Sequence, residues 1–285
     1  MLNIGIIGKS ELLEKQIKEL VDYADIRILG KSSVGTKTQS SEYLYSIPEY
    51  NRIELIERSD AIFLEDSSLL PFALLKDAIK RNKHIFFADY PGFSHQECSE
   101  LMKLTDEAGT VVQVKNPFFF NPVIQWVNAN ISFPFYVEIN VVKNNSEENE
   151  AFLPEILMMA VKFAKRDPKK IIPTFFKGPA NLFSFQNIRF EFDDSSRVNL
   201  NYTLSDTDEV FSLKVISNSD IFGVNVLKGT VKAKRIPVNL KNFKPQKEYE
   251  SFFRSINKKL APCCGVNDYL ALQQTMAEIE KKKSH

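Results

Sequence analysis

The chain has 285 residues, 44% of them apolar, which is enough to build two packed cores and too apolar for a disordered chain. Thirty-seven basic residues balance 36 acidic ones, so no overall field gathers nucleic acid or an anionic membrane surface. No apolar run reaches the roughly 20 residues that span a bilayer, and no basic-then-apolar leader opens the sequence. Three cysteines, two of them adjacent at Cys263 and Cys264, suit a reducing compartment. The expectation is a cytoplasmic protein without a nucleic-acid or membrane partner.

Strand and helix patterns alternate through the first half. Leu2 to Gly8 reads as a strand, Glu11 to Tyr23 as a helix with Leu12, Leu13, Ile17, Leu20 and Val21 on its apolar side, and Asp25 to Leu29 as a second strand. Lys31 to Ser46 is rich in Ser, Thr and Lys and reads as a loop; Ile53 to Arg58 supplies a short helix. Ala61 to Leu64 is a buried strand, Pro71 to Arg81 a helix, His84 to Ala88 a strand, Ser94 to Ala108 a helix, and Thr110 to Val114 a strand. Such alternation predicts a parallel sheet with helices on both faces.

Beyond Pro122 the pattern changes. Phe135 to Val142 alternates as a strand and Glu150 to Lys165 has helical period. Phe183 to Phe192, Arg197 to Leu204, Val210 to Ser217 and Gly223 to Lys234 follow as antiparallel strands, with closing helices from Lys247 to Leu260 and Asn267 to Lys283. The predicted class is therefore α/β plus α+β. A Rossmann-type doubly wound parallel sheet (residues 1–118) precedes a domain with a large, mainly antiparallel open sheet (residues 119–285).

A dinucleotide loop needs small residues for a tight turn, for close approach to a pyrophosphate and for close helix packing. Gly8-Lys9-Ser10-Glu11-Leu12-Leu13 keeps the first glycine, puts Ser10 at the second place and Leu13 at the third. Leu13 predicts a helix standing farther from the sheet. Ser10 either admits a phosphate at the helix N-terminus or simply caps the helix. After the second strand, where an acidic residue normally takes the ribose hydroxyls, the chain reads Gly30-Lys31-Ser32-Ser33. Lys31 and Ser32 there suit a 2′-phosphate, which favours NADP over NAD if a dinucleotide binds; a solvated lysine in a polar loop is the other reading.

The order and spacing from Asp60 to Pro122, with Asp89-Tyr90-Pro91 after the strand and Asn116-Pro117-Phe118-Phe119-Phe120-Asn121-Pro122 closing the segment, resemble the glucose-fructose oxidoreductase, inositol dehydrogenase and MocA (Gfo/Idh/MocA) family. The resemblance runs from Leu2 to about Lys283. It implies an NAD(P)-dependent oxidoreductase with a small-molecule ligand in a cleft between the domains, a final helix that packs back on the first domain, and a homo-oligomer formed through the C-terminal sheet. It also implies where chemistry would lie. The family's Glu-Lys-Pro lysine falls on Tyr90, and its histidine, on the first helix of the second domain, falls on Met158, with Pro154 and Val161 at the flanking acidic places. The family's neutral segment beside the cofactor phosphates falls on Glu65-Asp66-Ser67-Ser68, of which Ser67 remains a candidate cofactor contact. Each carboxylate there costs roughly 3 kcal/mol against a phosphate charge about 5 Å away at an effective dielectric near 20. Asp66 is alternatively a cap for the helix that Pro71 opens.

With His84, His95 and His285 as the only histidines, the remaining proton donor is Tyr90, for which Lys115 or Lys162 would supply the neighbouring cation. Phe118, Phe119 and Phe120 line or plug an apolar pocket. No metal cluster or Walker-type loop is visible. Three readings follow: an oxidoreductase-like protein whose sugar-dehydrogenase catalysis is weak or lost, an active NADP-dependent reductase using Tyr90, or a non-enzymatic oligomeric scaffold or ligand sensor whose Phe-rich sheet is its interface.

Overall fold

The computed structural model describes residues 1–34, 46–131, 134–144, 152–164, 167–179 and 183–283. The chain divides into two compact units, residues 1–115 with 247–270, and residues 116–246 with 271–285.

The first unit is built on five parallel strands, β1 (Leu2–Lys9), β2 (Ile26–Val34), β3 (Ala61–Leu64), β4 (His84–Phe87) and β5 (Val112–Val114), in the order β2-β1-β3-β4-β5. Ile4, Ile6, Ile7 and all of Ala61–Leu64 are buried, as expected of strands covered on both faces. Between them run α1 (Ser10–Leu20), α2 (Arg52–Arg58), α3 (Phe72–Lys80) and α4 (His95–Ala108). Ser94 caps α4 in a reciprocal box with Glu97, and Gly109 ends it in the left-handed conformation. Helix α7 (Glu248–Lys258) completes this core: Tyr249, Phe252 and Phe253 meet Phe63 and Phe86 at ring separations of 5.1 to 5.9 Å.

One local expectation changes. β2 runs on through Lys31, Ser32 and Ser33 to Val34, because residues 48–50 pair beside it: Lys31 N–H donates to the Pro48 carbonyl and Tyr50 N–H to the Lys31 carbonyl, both at 2.9 Å. The rest of the expected loop, residues 35–45, lies outside the described residues. Leu13 on α1 is fully buried, and its Cδ2 lies only 2.9 Å from where a Cβ on Gly8 would stand, so the missing side chain at Gly8 makes room for it.

The second unit carries a seven-stranded sheet, β12-β11-β10-β6-β9-β8-β7, antiparallel except for the parallel pair β6–β9. Its strands are β6 (Pro134–Lys143), β7 (Lys170–Lys177), β8 (Phe183–Glu191), β9 (Arg197–Ser205), β10 (Val210–Ser217), β11 (Ile221–Asn225) and β12 (Thr230–Ala233). The expected strand from Gly223 to Lys234 is thus a hairpin, with Gly229 at φ +60° in its turn. Helices α5 (Pro122–Asn130) and α6 (Phe152–Ala164) belong to this unit, and α8 (Val266–Lys283) is divided between the units; the expected ends of α6 at Glu150 and Lys165 fall outside the described residues.

Phe190, Phe211 and Phe222 are buried on one face with Ile139, Leu200 and Val215. The opposite face carries an amide ladder instead: Asn187 donates to Asn201 at 2.8 Å, Asn201 to Asn140 at 2.7 Å and Asn140 to Glu138 at 3.3 Å. The phenylalanines of the central strands therefore serve the core more than the open surface.

Candidate functional site

In a doubly wound sheet, ligands collect at the carboxyl ends of strands where the order reverses. Here that point lies between β1 and β3, and Gly8, Lys9, Glu65, Asp66, Ser67, Asp89 and Lys115 all sit at or just past the strand ends around it.

Gly8 is glycine for a packing reason. A Cβ on it would lie 2.6 Å from the Cβ of Glu65 and 2.9 Å from Leu13. Lys9, not Ser10, is the N-cap residue of α1, and its side chain makes no capping hydrogen bond; the positive end of the helix dipole lies at the end of β1. The Lys9 ammonium pairs with Asp66 at 2.8 Å. That hydrogen bond, with help from Ser68, holds the Asp66 carboxyl below the usual carboxylate range. Asp66 caps the single 3₁₀ turn Ser67–Leu69 rather than the helix that follows Pro71. Ser67 in turn gives its N–H and hydroxyl to one oxygen of Asp89 at 2.8 and 2.7 Å. The other Asp89 oxygen is buried and has no hydrogen-bond partner among the described residues; burial pushes this carboxyl up despite the Ser67 donors.

Glu65 is the most perturbed acid of the edge. Burial raises it to about 7, Lys115 works against the rise, and Glu19 and Asp89 add to it. No donor reaches its carboxylate among the described residues. A carboxyl poised near neutral at a switch point is the pattern expected of a functional acid.

Tyr90 follows Asp89, its ring 4.9 Å from that of Tyr269, whose hydroxyl donates to the Pro91 carbonyl. Lys115 fixes the end of β5 by donating its N–H to the Phe87 carbonyl at 2.8 Å. Lys162 belongs to the second unit, where its ammonium lies 5.4 Å from the centre of the Phe119 ring. Met158, at the histidine place of the resemblance, is 3% exposed on α6. His84 opens β4 and accepts a hydrogen bond from the Val111 N–H at Nδ1, a structural role.

Lys31 and Ser32 are buried in β2, at 8% and 7% exposure. The Lys31 ammonium donates to the Ile47 carbonyl at 3.2 Å and faces Glu49 at 3.7 Å. Glu49, which sequence reading passed over, accepts from both the N–H and the hydroxyl of Ser33 at 2.6 and 2.7 Å. Nothing in the local pattern signals this contact, because it depends on residues 48–50 pairing with β2.

The donor set fits a dinucleotide in part. The first turn of α1 and the Glu49 carboxylate at the end of β2 suit it, while Glu65, Asp66 and Asp89 oppose the phosphate charge. Among the described residues no helix is long and apolar enough to cross a membrane, and no group of side chains could hold a metal ion.

No protein-family model and no curated sequence matches the chain. Solved structures do. A dehydrogenase (MviM) from Clostridium difficile superposes with a TM-score of 0.76 at 18% identity over 99% of each chain. The WlbA dehydrogenase from Chromobacterium violaceum, in complex with NADH and UDP-GlcNAcA, gives 0.74 at 9% identity over 98% of this chain and 93% of that one. Biliverdin reductase from Synechocystis, in complex with biliverdin and NADP+, gives 0.68 at 10% identity over 98% of each. The fold is that of Gfo/Idh/MocA-type dehydrogenases, shared at low identity.

Proposed function

We propose that the chain is an oxidoreductase-fold protein that takes a nicotinamide dinucleotide weakly in its first unit and has given up sugar oxidation by the lysine and histidine of the resemblance. The observation that carries this reading is the carboxylate edge, with Glu65 pressed on Gly8, Asp66 tied to Lys9 and Asp89 tied to Ser67. The first turn of α1, with Ser10, would hold the pyrophosphate, and Glu49 would face the adenosine half. When bound, the nicotinamide would supply hydride transfer; Met158 and Val161 move no proton.

Calorimetric titration with NADH and NADPH at pH 6 and pH 8 tests the reading. Dissociation constants in the range of about 10⁻⁴ M, tighter at pH 6 where Glu65 is protonated, are expected. Submicromolar binding at pH 8, or turnover of a sugar alcohol, overturns it.

A second reading rests on Tyr90, whose ring lies against that of Tyr269 just past the end of β4. The protein is then an NADP-dependent reductase with Tyr90 as the acid. Loss of at least tenfold in kcat on Tyr90→Phe, with substrate KM unchanged, would favour it.

A further inference from the structure

We infer that Glu49 is the ribose-reading carboxylate of the first unit, so that the adenine nucleotide taken there is one with free 2′- and 3′-hydroxyls and not a 2′-phosphorylated one. The inference rests on the proposed nucleotide binding and names the form of nucleotide. In parallel βαβ units the acid that accepts ribose hydroxyls stands at the carboxyl end of the second strand, one strand away from the phosphate-binding turn. The register places Ser33 directly opposite Gly8 on the neighbouring strand, and Glu49 is fastened to Ser33. The carboxylate thus reaches the right place from outside the strand, carried by a segment that follows residues 35–45.

Three features hold it there. Pro48 and Tyr50 pair with the Lys31 backbone on either side of Glu49. The Tyr50 ring crosses Gly30 so closely that a Cβ there would lie 2.4 Å from it, which is why β2 has a glycine at that place. The Lys31 ammonium, donated to the Ile47 carbonyl, faces the second carboxylate oxygen from 3.7 Å. Ser33 engages only one oxygen of Glu49, whose side chain keeps 43% exposure. The second oxygen retains lone pairs that can accept from ribose hydroxyls. A 2′-phosphate at the same place would meet a carboxylate, and Lys31, buried in its own contacts, does not offset that repulsion.

Half-nucleotides isolate the claim from the pyrophosphate. Binding of 5′-AMP, its 2′-deoxy counterpart and adenosine 2′,5′-bisphosphate to the full chain is measured by calorimetry at pH 7.5. The expected order is 5′-AMP first, with each of the other two about tenfold weaker. Glu49→Gln keeps an oxygen for Ser33 and loses the charge; it should weaken 5′-AMP at least about fivefold and remove the discrimination against the bisphosphate, with an unchanged melting temperature showing an intact fold. Equal or tighter binding of the bisphosphate, a preference that survives Glu49→Gln, or no binding of 5′-AMP at millimolar concentration overturns the inference. If 5′-AMP binds as expected while NADH and NADPH do not, the proposed dinucleotide function fails and the assignment of Glu49 stands.

Discussion

Glu65 and Asp220 are both withdrawn from water, and their surroundings use the charge in opposite ways. Asp220, 3% exposed beside the β10–β11 turn, accepts from the N–H groups of Ile221, Lys234, Arg235 and Ile236 at 2.7 to 2.9 Å. Those donors outweigh burial and hold its carboxyl below the usual range. Glu65 has burial without donors and rises to about 7. A carboxylate that closes a turn is given its hydrogen bonds by the fold; one left short of them at a strand end is available to something else.

The contrast breaks most visibly at Asp220. Asp220→Asn cannot accept with two oxygens, so Tm at pH 7 should fall by roughly 5 °C or more in calorimetry. Because the folded value lies below the unfolded one, Asp220 stabilises fully above about pH 4 and loses that contribution as pH drops; wild type should show this acid slope and Asp220→Asn should lack it. Gly8→Ala drives a Cβ into Glu65 and Leu13 and should cost about 1–3 kcal/mol in urea unfolding. Glu65→Gln works the other way. Its folded value is above the unfolded one of 4.5, so ionisation penalises the fold above pH 7 and the penalty fades as pH falls toward 4.5. The variant should gain about 1–2 kcal/mol at pH 8, after discounting for partial exposure, and nothing at pH 4. Lys9→Ala removes a pair whose lysine is 58% exposed and should change stability by less than about 0.5 kcal/mol.

Sequence was most informative where one local pattern decided the outcome. The apolar runs of β1, β3 and β4 and the Ser94-to-Glu97 cap of α4 are legible because burial on both faces and capping chemistry leave a contiguous mark. Strand β7 was missed: Pro173 interrupts it, and an edge strand tolerates a proline that reads as a breaker. Helix α5 was missed although Asn121 caps it and Pro122 opens it, since neighbouring phenylalanines hid the helical period. At the site, Tyr90 and Met158 come to notice only through the family resemblance, which sets them at the places of its lysine and histidine. Glu49 was not legible, because its position comes from pairing across the residues between Ser33 and Ser46, and the rise of Glu65 depends on packing against Gly8 that no linear motif encodes.

The aromatic cluster of Phe63 and Phe86 with Tyr249, Phe252 and Phe253 also sets a schedule for synthesis. A nascent chain that has emerged only to Lys115 holds all five strands of its first sheet but none of the α7 rings that cover Phe63. At ordinary elongation rates those rings follow on the order of ten seconds later. During that interval Phe63 and Phe86 lack the rings that cover them in the finished lobe.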